Sequence, residues 1–541
     1  MKQKITSIIV KAINGLQKEG VLKSRSLPQI VIEKPRVSSF GDYSSNVSML
    51  MAKEERRSPA DLAKMIASKI GEIDAGNLFR EVGAAAPGFI NLTLDEKFLS
   101  KSLAEVMKFG ERYGRIPGWR RNKVLLEYVS ANPTGPLHVG HGRWAVIGDV
   151  LSSILDFAGS RTEREYYVND VGRQIDLLEQ SVIARSRGED VPKDGYGGEY
   201  VSEIAEKLKD KLKGKHLARD IMELMLAEQR KVLSKLGVRF DRWFYESSLH
   251  KQKRIEGIIK ELSKRGVTFE EEGALWFKSK ELGDDKNRVL VREDGASTYF
   301  ASDIAYHVDK FRRKYDLLIN VWGTDHHGYV ARLKAAVKFL GFPVEKLKII
   351  IGQLVSLFRA GEPVKMSKRA GEMVTLEEVI DEIGVDATRF FFLMTSPDTH
   401  LDFDLELAKK HSSDNPVYYV QYAHARISSI LREAEKSGHN IKKAVRTADL
   451  ELLNDPEEII LIKKIVSFPD EILESARALL PHRLINYSRE LSAQFHNFYH
   501  KLRVLSSDQD LTRSRLALVF ATRIVLRNVL KLLGISAPES M

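Results

Sequence analysis

The spacing of apolar positions changes twice along the chain. Before about residue 95, an amphipathic helical pattern at 5–16 is combined with strand-like segments such as 89–94. From Lys123 onward, apolar strands alternate with helices, which is typical of a doubly wound parallel sheet. After Phe403 the apolar period is helical throughout. We therefore predict a small α/β domain at 1–95, a larger α/β domain at 96–405 and an all-α domain at 406–541.

The alternation within the larger domain is interrupted between about 175 and 289. Long charged helical patterns occupy 200–213 and 217–236, and Gly-rich and acidic turns follow them. The strand pattern resumes with 317–322 and 349–351. We expect residues 175–289 to form an insertion in the α/β domain.

A strand, a Pro/Gly loop and a long apolar helix follow one another between 125 and 154, and the helix begins near His138-Val139-Gly140-His141. A helix that begins at the carboxyl end of a strand directs N–H groups and its positive dipole end at a ligand, which favours phosphate. Three residues apart, His138 and His141 are expected to share a helix face and to donate to phosphate oxygens. The tetrapeptide alone is equally compatible with histidines that only cap and pack the helix. A metal pair is disfavoured because no Glu-x-x-His or Cys cluster accompanies them.

A second candidate motif is the basic run Lys365-Met366-Ser367-Lys368-Arg369, which lies between an apolar stretch and a helical pattern. Two lysines beside a serine in a loop can bind and release a β/γ-phosphate. Taken alone, such a run is typical of a solvated surface loop. Its occurrence downstream of the histidine motif favours phosphate binding.

Composition narrows the class of protein. The 541 residues carry 85 Lys and Arg against 74 Asp and Glu, and eleven Lys/Arg against five Asp/Glu lie in the first 57 residues. This charge suits a polyanionic partner but also fits a merely basic protein. The absence of cysteine excludes disulfides, thiolate zinc sites and a cysteine nucleophile. No stretch approaches the roughly 18 apolar residues of a membrane span, so we expect a soluble, cytoplasmic protein.

Longer stretches around the two motifs carry a family resemblance. They are EYVSANPTGP at 127–136, YVNDVGRQ at 167–174, WGTDHHG at 322–328, NPVYYVQYA at 415–423 and FGDYSSN at 40–46. Together with the histidine and lysine motifs, they resemble the class I aminoacyl-tRNA synthetases, and the arginyl-tRNA synthetases in particular, over essentially the whole chain. One departure is mild, since the segment that the family usually writes Asp-Ala-Leu-Arg has Thr388 in place of leucine.

The resemblance implies a Rossmann-type nucleotide-binding catalytic domain with an insertion, a small N-terminal α/β domain that binds tRNA and an α-helical anticodon-binding domain. It implies ligation of L-arginine to the 3′ end of tRNA(Arg) through an arginyl-adenylate. ATP accompanied by Mg²⁺ would be consumed, and a resident metal site is not expected. The partners would be tRNA(Arg), L-arginine and ATP, and we expect a monomer.

The resemblance also implies roles for individual residues. The catalytic residues would be His138 and His141 at the α-phosphate, and Lys365 and Lys368 at the β/γ-phosphates. Further contacts with ATP would come from Gly140, Gly323, Met366 and Ser367. The guanidinium of arginine would contact Glu127, Tyr299 and Asp303, and its other end would lie near Asn132 and Asp325. The residue types suit the chemistry, because carboxylates give paired, charge-assisted hydrogen bonds to a guanidinium. Tyr299 and Asp303 are four residues apart, so they share a helix face.

Two alternatives from other classes remain open at this point. Gly140 to Ala145 fits the G-x-G-x-x-A pattern of a dinucleotide oxidoreductase, with Glu163 as the ribose-binding acid. However, eleven residues separate the strand from the helix, and the basic run stays unexplained. A catalytically inactive tRNA-binding module would have no reason to keep both phosphate motifs.

Overall fold

The computed structural model describes residues 1–24, 26–35, 37–116, 119, 122–282, 284–326, 328–364 and 374–541. It divides into an N-terminal α/β unit, a central unit built on a parallel sheet, and a C-terminal helical unit. In the described part of the chain, no helix has both the length and the apolar character that crossing a membrane requires.

The N-terminal unit is an antiparallel sheet of order β1-β2-β4-β3, packed against amphipathic helices. Helix α1 buries Ile5, Ile9 and Ile13 on one face, as its apolar spacing predicts. The elements are α1 (Lys2–Lys18), β1 (Ile32–Glu33), β2 (Tyr43–Ser45), α2 (Val47–Glu55), α3 (Pro59–Asp74), β3 (Phe79–Ala85), β4 (Phe89–Leu94) and α4 (Glu96–Phe109).

The central unit is built on a five-stranded parallel sheet of order β12-β11-β5-β6-β7. The chain runs from β5 outward to β6 and β7, and later returns to the other side of β5 with β11 and β12. The direction of winding therefore reverses between β5 and β11, which is where open parallel sheets bind ligands. The elements that build this layer are β5 (Lys123–Glu127), α5 (Val139–Ala158), β6 (Arg161–Val168), α6 (Arg173–Ser186), α7 (Glu199–Lys207), α8 (Leu217–Lys235), β7 (Arg242–Tyr245), α9 (Ser247–Lys251), α10 (Arg254–Lys264), β8 (Thr268–Glu271), β9 (Ala274–Phe277), β10 (Arg288–Val291), α11 (Tyr299–Arg312), β11 (Leu317–Gly323), α12 (Tyr329–Phe339) and β12 (Leu347–Gly352).

The expected insertion at 175–289 is not continuous. Helices α6 to α8 do depart from the sheet, and β8 to β10 form a separate antiparallel sheet. Strand β7 lies between these two pieces and pairs in parallel with β6 as the edge of the main sheet. Its four residues are too few to show an alternation against the long charged helices before it.

A kinked helix connects the central unit to the helical unit. Helix α13 contains Gly384 with φ 81° and ψ 163°, a left-handed backbone that breaks the helix in two. Beyond the kink, the buried Arg389 donates to the carbonyl oxygens of Leu236 and Leu533, both at 2.9 Å, and to Asp149 Oδ2 at 2.6 Å. The elements here are β13 (Val355–Arg359), β14 (Glu362–Pro363), α13 (Leu376–Phe392), β15 (Leu401–Asp404) and α14 (Leu405–Lys409).

The C-terminal unit is a bundle of six helices whose apolar faces share one core with the N-terminal unit and with part of the central unit, including α5 and α13. It also contacts the N-terminal unit, since Asp470 accepts hydrogen bonds from the Met1 ammonium at 2.7 Å and from the Lys2 N–H at 3.0 Å. Lys463 forms an ion pair with Asp42 at 2.7 Å. The helices are α15 (Pro416–Lys436), α16 (Ile441–Thr447), α17 (Pro456–Val466), α18 (Phe468–Ala478), α19 (His482–Lys501) and α20 (Gln509–Leu533).

Candidate active site

The site lies where β5 and β11 end. Asn320 of β11 pairs in register with Glu127, the last residue of β5, and β11 continues to Gly323 beside Gly352 of β12. Beyond β5 the chain turns sharply, and Val129 and Ser130 have φ of 67° and 44°. The loop that follows leads to the start of α5, so helix N–H groups face the carboxyl edge of the sheet.

The two histidines cap α5 reciprocally. His138 is the N-cap residue, and its Nδ1 accepts from the N–H groups of Gly140 at 3.1 Å and His141 at 3.4 Å, while His141 Nδ1 accepts from the His138 N–H at 3.4 Å. Their rings stack with centroids 3.7 Å apart. The two side chains do lie together, but His138 has extended backbone and contributes from the N-cap position rather than from within the helix. Because Nδ1 accepts in both rings, we assign the donor proton of each ring to Nε2.

Glycines allow close packing around this helix start. A Cβ at Gly140 would lie 2.9 Å from Cε1 of His138, so the close approach of the His138 ring explains why glycine is needed at this position. A Cβ at Gly142 would lie 2.4 Å from Leu376, and one at Gly148 would lie 2.2 Å from the Tyr128 ring. Helix α5 is thus in direct contact with the start of α13 and with the end of β5.

Arg143, which follows the histidine motif, is fully buried and anchors α5 to the segments that follow β12 and α13. Its guanidinium donates to the Gln353 carbonyl at 3.1 Å and, at 2.9 Å each, to Thr395 Oγ1 and the Ser396 carbonyl. Burial lowers its pKa to about 10, so the guanidinium remains charged at neutral pH.

The basic run that was expected to bind the β/γ-phosphates lies outside the described residues, and this applies to Lys365, Met366, Ser367 and Lys368. The chain is described again just beyond it. Thr375 pairs with His138 in an isolated β-bridge, and the Leu376 N–H donates to the Leu137 carbonyl at 2.8 Å. The segment after the basic run is therefore joined directly to the histidine motif.

Glu127 is buried and already ion-paired. Its Oε2 accepts from the buried Lys310 Nζ, and its Oε1 accepts from Ser130 Oγ at 3.0 Å. Lys310 also donates to Asn320 Oδ1 at 2.9 Å, and Asn320 Nδ2 lies 2.7 Å from His307 Nε2. Sequence reasoning missed Lys310, because its partner is 183 residues away in the chain.

Asp303 lies one turn inside α11, behind Tyr299. Tyr329 donates to Asp303 Oδ2 at 2.7 Å. The Tyr299 side chain is 50% exposed at the mouth of the site, where its hydroxyl lies next to Gly172. The two residues lie on one helix face at different depths. The Tyr299 ring is half-exposed, and the Asp303 carboxylate lies deeper in the protein.

Glu246 is an acidic residue of the site that sequence reasoning missed. It directly follows β7, is only 3% exposed, and is hydrogen-bonded to Tyr167 and Ser302. The Asn169 side-chain amide lies 3.0 Å from Glu246 Oε2, within donating distance. The available signal was a carboxylate immediately after an aromatic strand, but that strand lay inside the expected insertion.

The three carboxylates interact electrostatically. Burial is the main cause that raises the pKa of Asp303 to about 7; the Tyr329 hydrogen bond opposes this shift, whereas the charges of Glu246 and Glu127 add to it. Burial also raises the pKa of Glu246. Burial lowers the pKa of Lys310, although Glu127 favours its charged form. A cation that entered this pocket would therefore meet poorly compensated negative charge.

The remaining expected residues lie at or just beyond the carboxyl ends of β5 and β11. Asn132 is exposed and donates through Nδ2 to Gln174 Oε1 at 2.6 Å. Gly323 is buried at the end of β11. Asp325 lies in the short turn Thr324–His326 after β11, and its side chain is outside the described residues.

The alternative site for a dinucleotide is not supported. Glu163 pairs in register with Leu125, two residues before the carboxyl end of the β5 pairing. Its carboxylate accepts from the Tyr315 hydroxyl and approaches Arg313 at 4.0 Å. Glu163 therefore belongs to an ion-pair network within the sheet layer rather than to its ligand-binding edge.

Comparisons with known proteins agree with this geometry. A family model of the arginyl-tRNA synthetase N-terminal domain matches residues 3–94, one of the class I tRNA synthetase (R) catalytic domain matches 103–392, and one of the DALR anticodon binding domain matches 420–541.

Curated relatives extend the match to full length. An arginine–tRNA ligase of Citrifermentans bemidjiense is 45% identical over 558 aligned positions, covering 100% of both chains. One of Heliobacterium modesticaldum is 44% identical over 560 positions, covering 100% of this chain and 99% of the relative. The Thermus thermophilus arginyl-tRNA synthetase structure is 24% identical, covers 100% of both chains with a TM-score of 0.81, and shares the fold. The predicted fold class is thus confirmed, and the chain belongs to the arginine–tRNA ligase family, the class I aminoacyl-tRNA synthetases that join L-arginine to tRNA.

Proposed function

We propose that the carboxyl edge of the β5–β11 pair performs both steps of the family reaction. In the first step the carboxylate of L-arginine attacks the α-phosphorus of ATP and diphosphate leaves. In the second, a ribose hydroxyl at the 3′ end of tRNA(Arg) takes the arginyl group and AMP leaves. Neither step needs a covalent intermediate with the protein, so catalysis rests on positioning and on charge stabilisation.

The observation that carries the proposal is the group of buried, interacting carboxylates behind Tyr299, namely Glu127, Glu246 and Asp303. Lys310 neutralises Glu127, and we assign the guanidinium to Asp303 and Glu246, whose charges repel one another until a cation lies between them. Glu127 keeps acceptor capacity beyond its bonds to Lys310 and Ser130, because a carboxylate can accept about four hydrogen bonds. Glu127 and Tyr299 therefore stay in the proposal as secondary contacts, and Asn132 and Asp325 as contacts for the other end of arginine.

The start of α5 supports the assignment of ATP. The positive end of its dipole and the Nε2 atoms of His138 and His141 are suited to the α-phosphate, and Gly140 and Gly323 would border the nucleoside. Met366 and Ser367 would contact ATP, and Lys365 and Lys368 the β/γ-phosphates. We write the nucleotide substrate as the magnesium complex of ATP, since phosphate oxygens supply most ligands of such an ion.

For the flanking units we propose the bounds 1–95 and 406–541, on either side of a catalytic domain at 96–405. The basic N-terminal unit would contact the body of the tRNA and the helical unit its anticodon. We further propose that the enzyme is a cytoplasmic monomer, which sedimentation analysis of the purified chain would test.

One assay tests the proposed function directly. Purified enzyme with tRNA and ATP should aminoacylate from arginine and from none of the other nineteen amino acids at a comparable rate. A higher rate with lysine would contradict the assignment of the acidic pocket, because an ammonium cannot use two carboxylates as a planar fork does. Absence of any aminoacylation would contradict the proposed function as a whole.

The raised pKa of Asp303 predicts how arginine use depends on pH. The guanidinium binds only the charged carboxylate of Asp303. Because the pKa of Asp303 is about 7, this carboxyl group is partly protonated at neutral pH. We expect kcat/KM for arginine to rise about tenfold per unit as pH increases toward 7 and then to level off. Arginine binding at pH 7 should release protons, measurable by calorimetry in buffers of different ionisation enthalpy.

Tyr329→Phe gives the matched variant for this pH profile. The Tyr329 hydrogen bond lowers the pKa of Asp303, so its loss should move the midpoint to higher pH. A midpoint that is unchanged in this variant would remove Asp303 as the titrating group.

The basic run can be tested although it lies outside the described residues. Charge on the departing diphosphate appears only as the bond breaks, so Lys368→Ala should lower kcat far more than it raises KM for ATP. Steady-state diphosphate exchange measures both constants. An unchanged kcat would make 365–369 an ordinary surface loop.

A further inference from the structure

The loop at 131–135, which joins β5 to the histidine motif, is held in place by hydrogen bonds that side chains donate to its backbone carbonyl groups. Tyr200 donates through its hydroxyl to the Thr134 carbonyl at 2.8 Å. Gln229 donates through Nε2 to the carbonyls of Asn132 at 3.1 Å and Gly135 at 3.0 Å. Both donors come from the helical insertion, α7 and α8, and not from the sheet that carries the loop.

The Gln229 side chain is buried, which is unfavourable for an amide unless its hydrogen bonds compensate. It is 1% exposed, and its neighbours on the same face of α8, Leu226, Val232 and Leu233, are buried apolar residues. Burying an amide is unfavourable unless its polar atoms are hydrogen-bonded. Both Nε2 bonds go to the loop, and Oε1 lies 2.9 Å from the Tyr166 hydroxyl, which in turn lies 2.9 Å from the Ala131 carbonyl.

The loop also has a reason to need support. Val129 and Ser130, just before it, hold left-handed backbone with φ of 67° and 44°, and this conformation is strained for a β-branched residue. Strained turns persist only where surrounding contacts fix them. The loop carries Asn132 on one side and continues to His138 on the other, so its position sets both substrate contacts together.

Helix α8 also contacts the segment that follows the basic run. Lys231 and Lys235 approach Glu377 at 3.5 and 3.6 Å, and Lys235 is ion-paired with Asp381. These pairs are exposed and contribute little stability on their own. Their position nevertheless means that one helix touches the chain on both sides of the proposed phosphate site.

We propose that the helical insertion acts as a brace for the reaction, with Gln229 and Tyr200 as positioning residues that hold the 131–135 loop and, through it, Asn132 and His138. This inference rests on the proposed assignment of Asn132 and His138 to arginine and ATP. It extends that assignment to two residues that touch neither substrate.

Tyr200→Phe is the primary test, because it removes one hydroxyl and keeps the ring packing. We expect kcat/KM for arginine in tRNA-supported diphosphate exchange to fall about three- to tenfold, with a higher KM for arginine and a lower kcat per titrated active site. Gln229→Leu, which removes the donor to the part-buried carbonyls of Asn132 and Gly135, should cost at least about thirtyfold. Tyr196→Phe is the matched control, since Tyr196 packs in the same cluster and bonds to Ser181 Oγ through its backbone N–H at 3.0 Å.

Counting active sites separates positioning from folding. A purely structural role would reduce the number of titratable sites and leave KM and the rate per site unchanged, and that outcome would overturn the proposal. So would a Tyr200→Phe enzyme that equals Tyr196→Phe in both constants. If Gln229→Leu does not fold, Tyr200→Phe decides alone. Failure of the wild-type enzyme to exchange diphosphate with arginine and tRNA would instead refute the underlying function.

Discussion

Replacing Asp303 by asparagine should lower kcat/KM for arginine by roughly ten- to a hundredfold, while ATP still binds. The substitution keeps the shape of the side chain but removes the charge that would meet the guanidinium. Loss of a charged hydrogen bond costs about 1.5 to 3 kcal/mol, which corresponds to this range. Steady-state diphosphate exchange with varied arginine, alongside equilibrium binding of ATP, provides the measurement.

Two comparisons sharpen this experiment. Asp294→Asn, at an exposed position in the turn before the same helix, should behave as wild type. Glu246→Gln should resemble Asp303→Asn if both carboxylates hold the guanidinium. If Asp303→Asn keeps kcat/KM within twofold, Asp303 does not belong to the arginine pocket.

Without tRNA, arginine-dependent diphosphate exchange should be near background, and cognate tRNA should restore it. The family resemblance implies this requirement, and the described contacts offer a physical route. Asp386 on α13 accepts from the Ser536 N–H at 3.0 Å and from Gln421 Nε2 at 2.8 Å, both in the helical unit. The other end of α13 adjoins the basic run and His138. A ligand of the helical unit can therefore bias the phosphate site through the two halves of α13, which meet at the Gly384 kink.

The measurement is exchange rate against tRNA concentration at several salt concentrations. Affinity for tRNA should fall steeply as salt rises, because phosphate contacts release counterions. Deleting residues 1–95 should weaken tRNA binding and leave ATP binding intact. This experiment requires that the helical unit stays folded around Asp470, which contacts the start of α1 in the full chain. Robust exchange in the complete absence of tRNA would refute the coupling and reopen the assignment of the substrate.

Local sequence was sufficient for some of this site. The order of strand, loop and helix around His138 follows from apolar spacing and turn residues, and the four-residue interval between Tyr299 and Asp303 places them on one helix face. Such features depend on neighbours within a few residues, so a pattern can reveal them.

Other features depend on residues that are far apart in the chain. The pairing of Glu127 with Lys310 arises only when α11 packs behind β5, and no sequence pattern near Glu127 indicates it. Glu246 was missed because β7 is short and follows the long helix α8, so the membership of β7 in the main sheet is visible only from its pairing with β6. The capping role of His138 depends on backbone angles that the tetrapeptide does not specify.

Helix α20 has a consequence for how the chain folds during synthesis. Among the helices of the described residues it is made last, yet it packs against α4 and α5, and Asn528 donates to the Gly110 carbonyl 418 residues upstream. Arg389 likewise finds one of its acceptors only when Leu533 has emerged from the ribosome. The catalytic unit therefore cannot complete its packing in order of translation, and closing such long loops slows folding. Nascent chains that stop before α20 should expose the apolar faces of α4 and α5 to solvent.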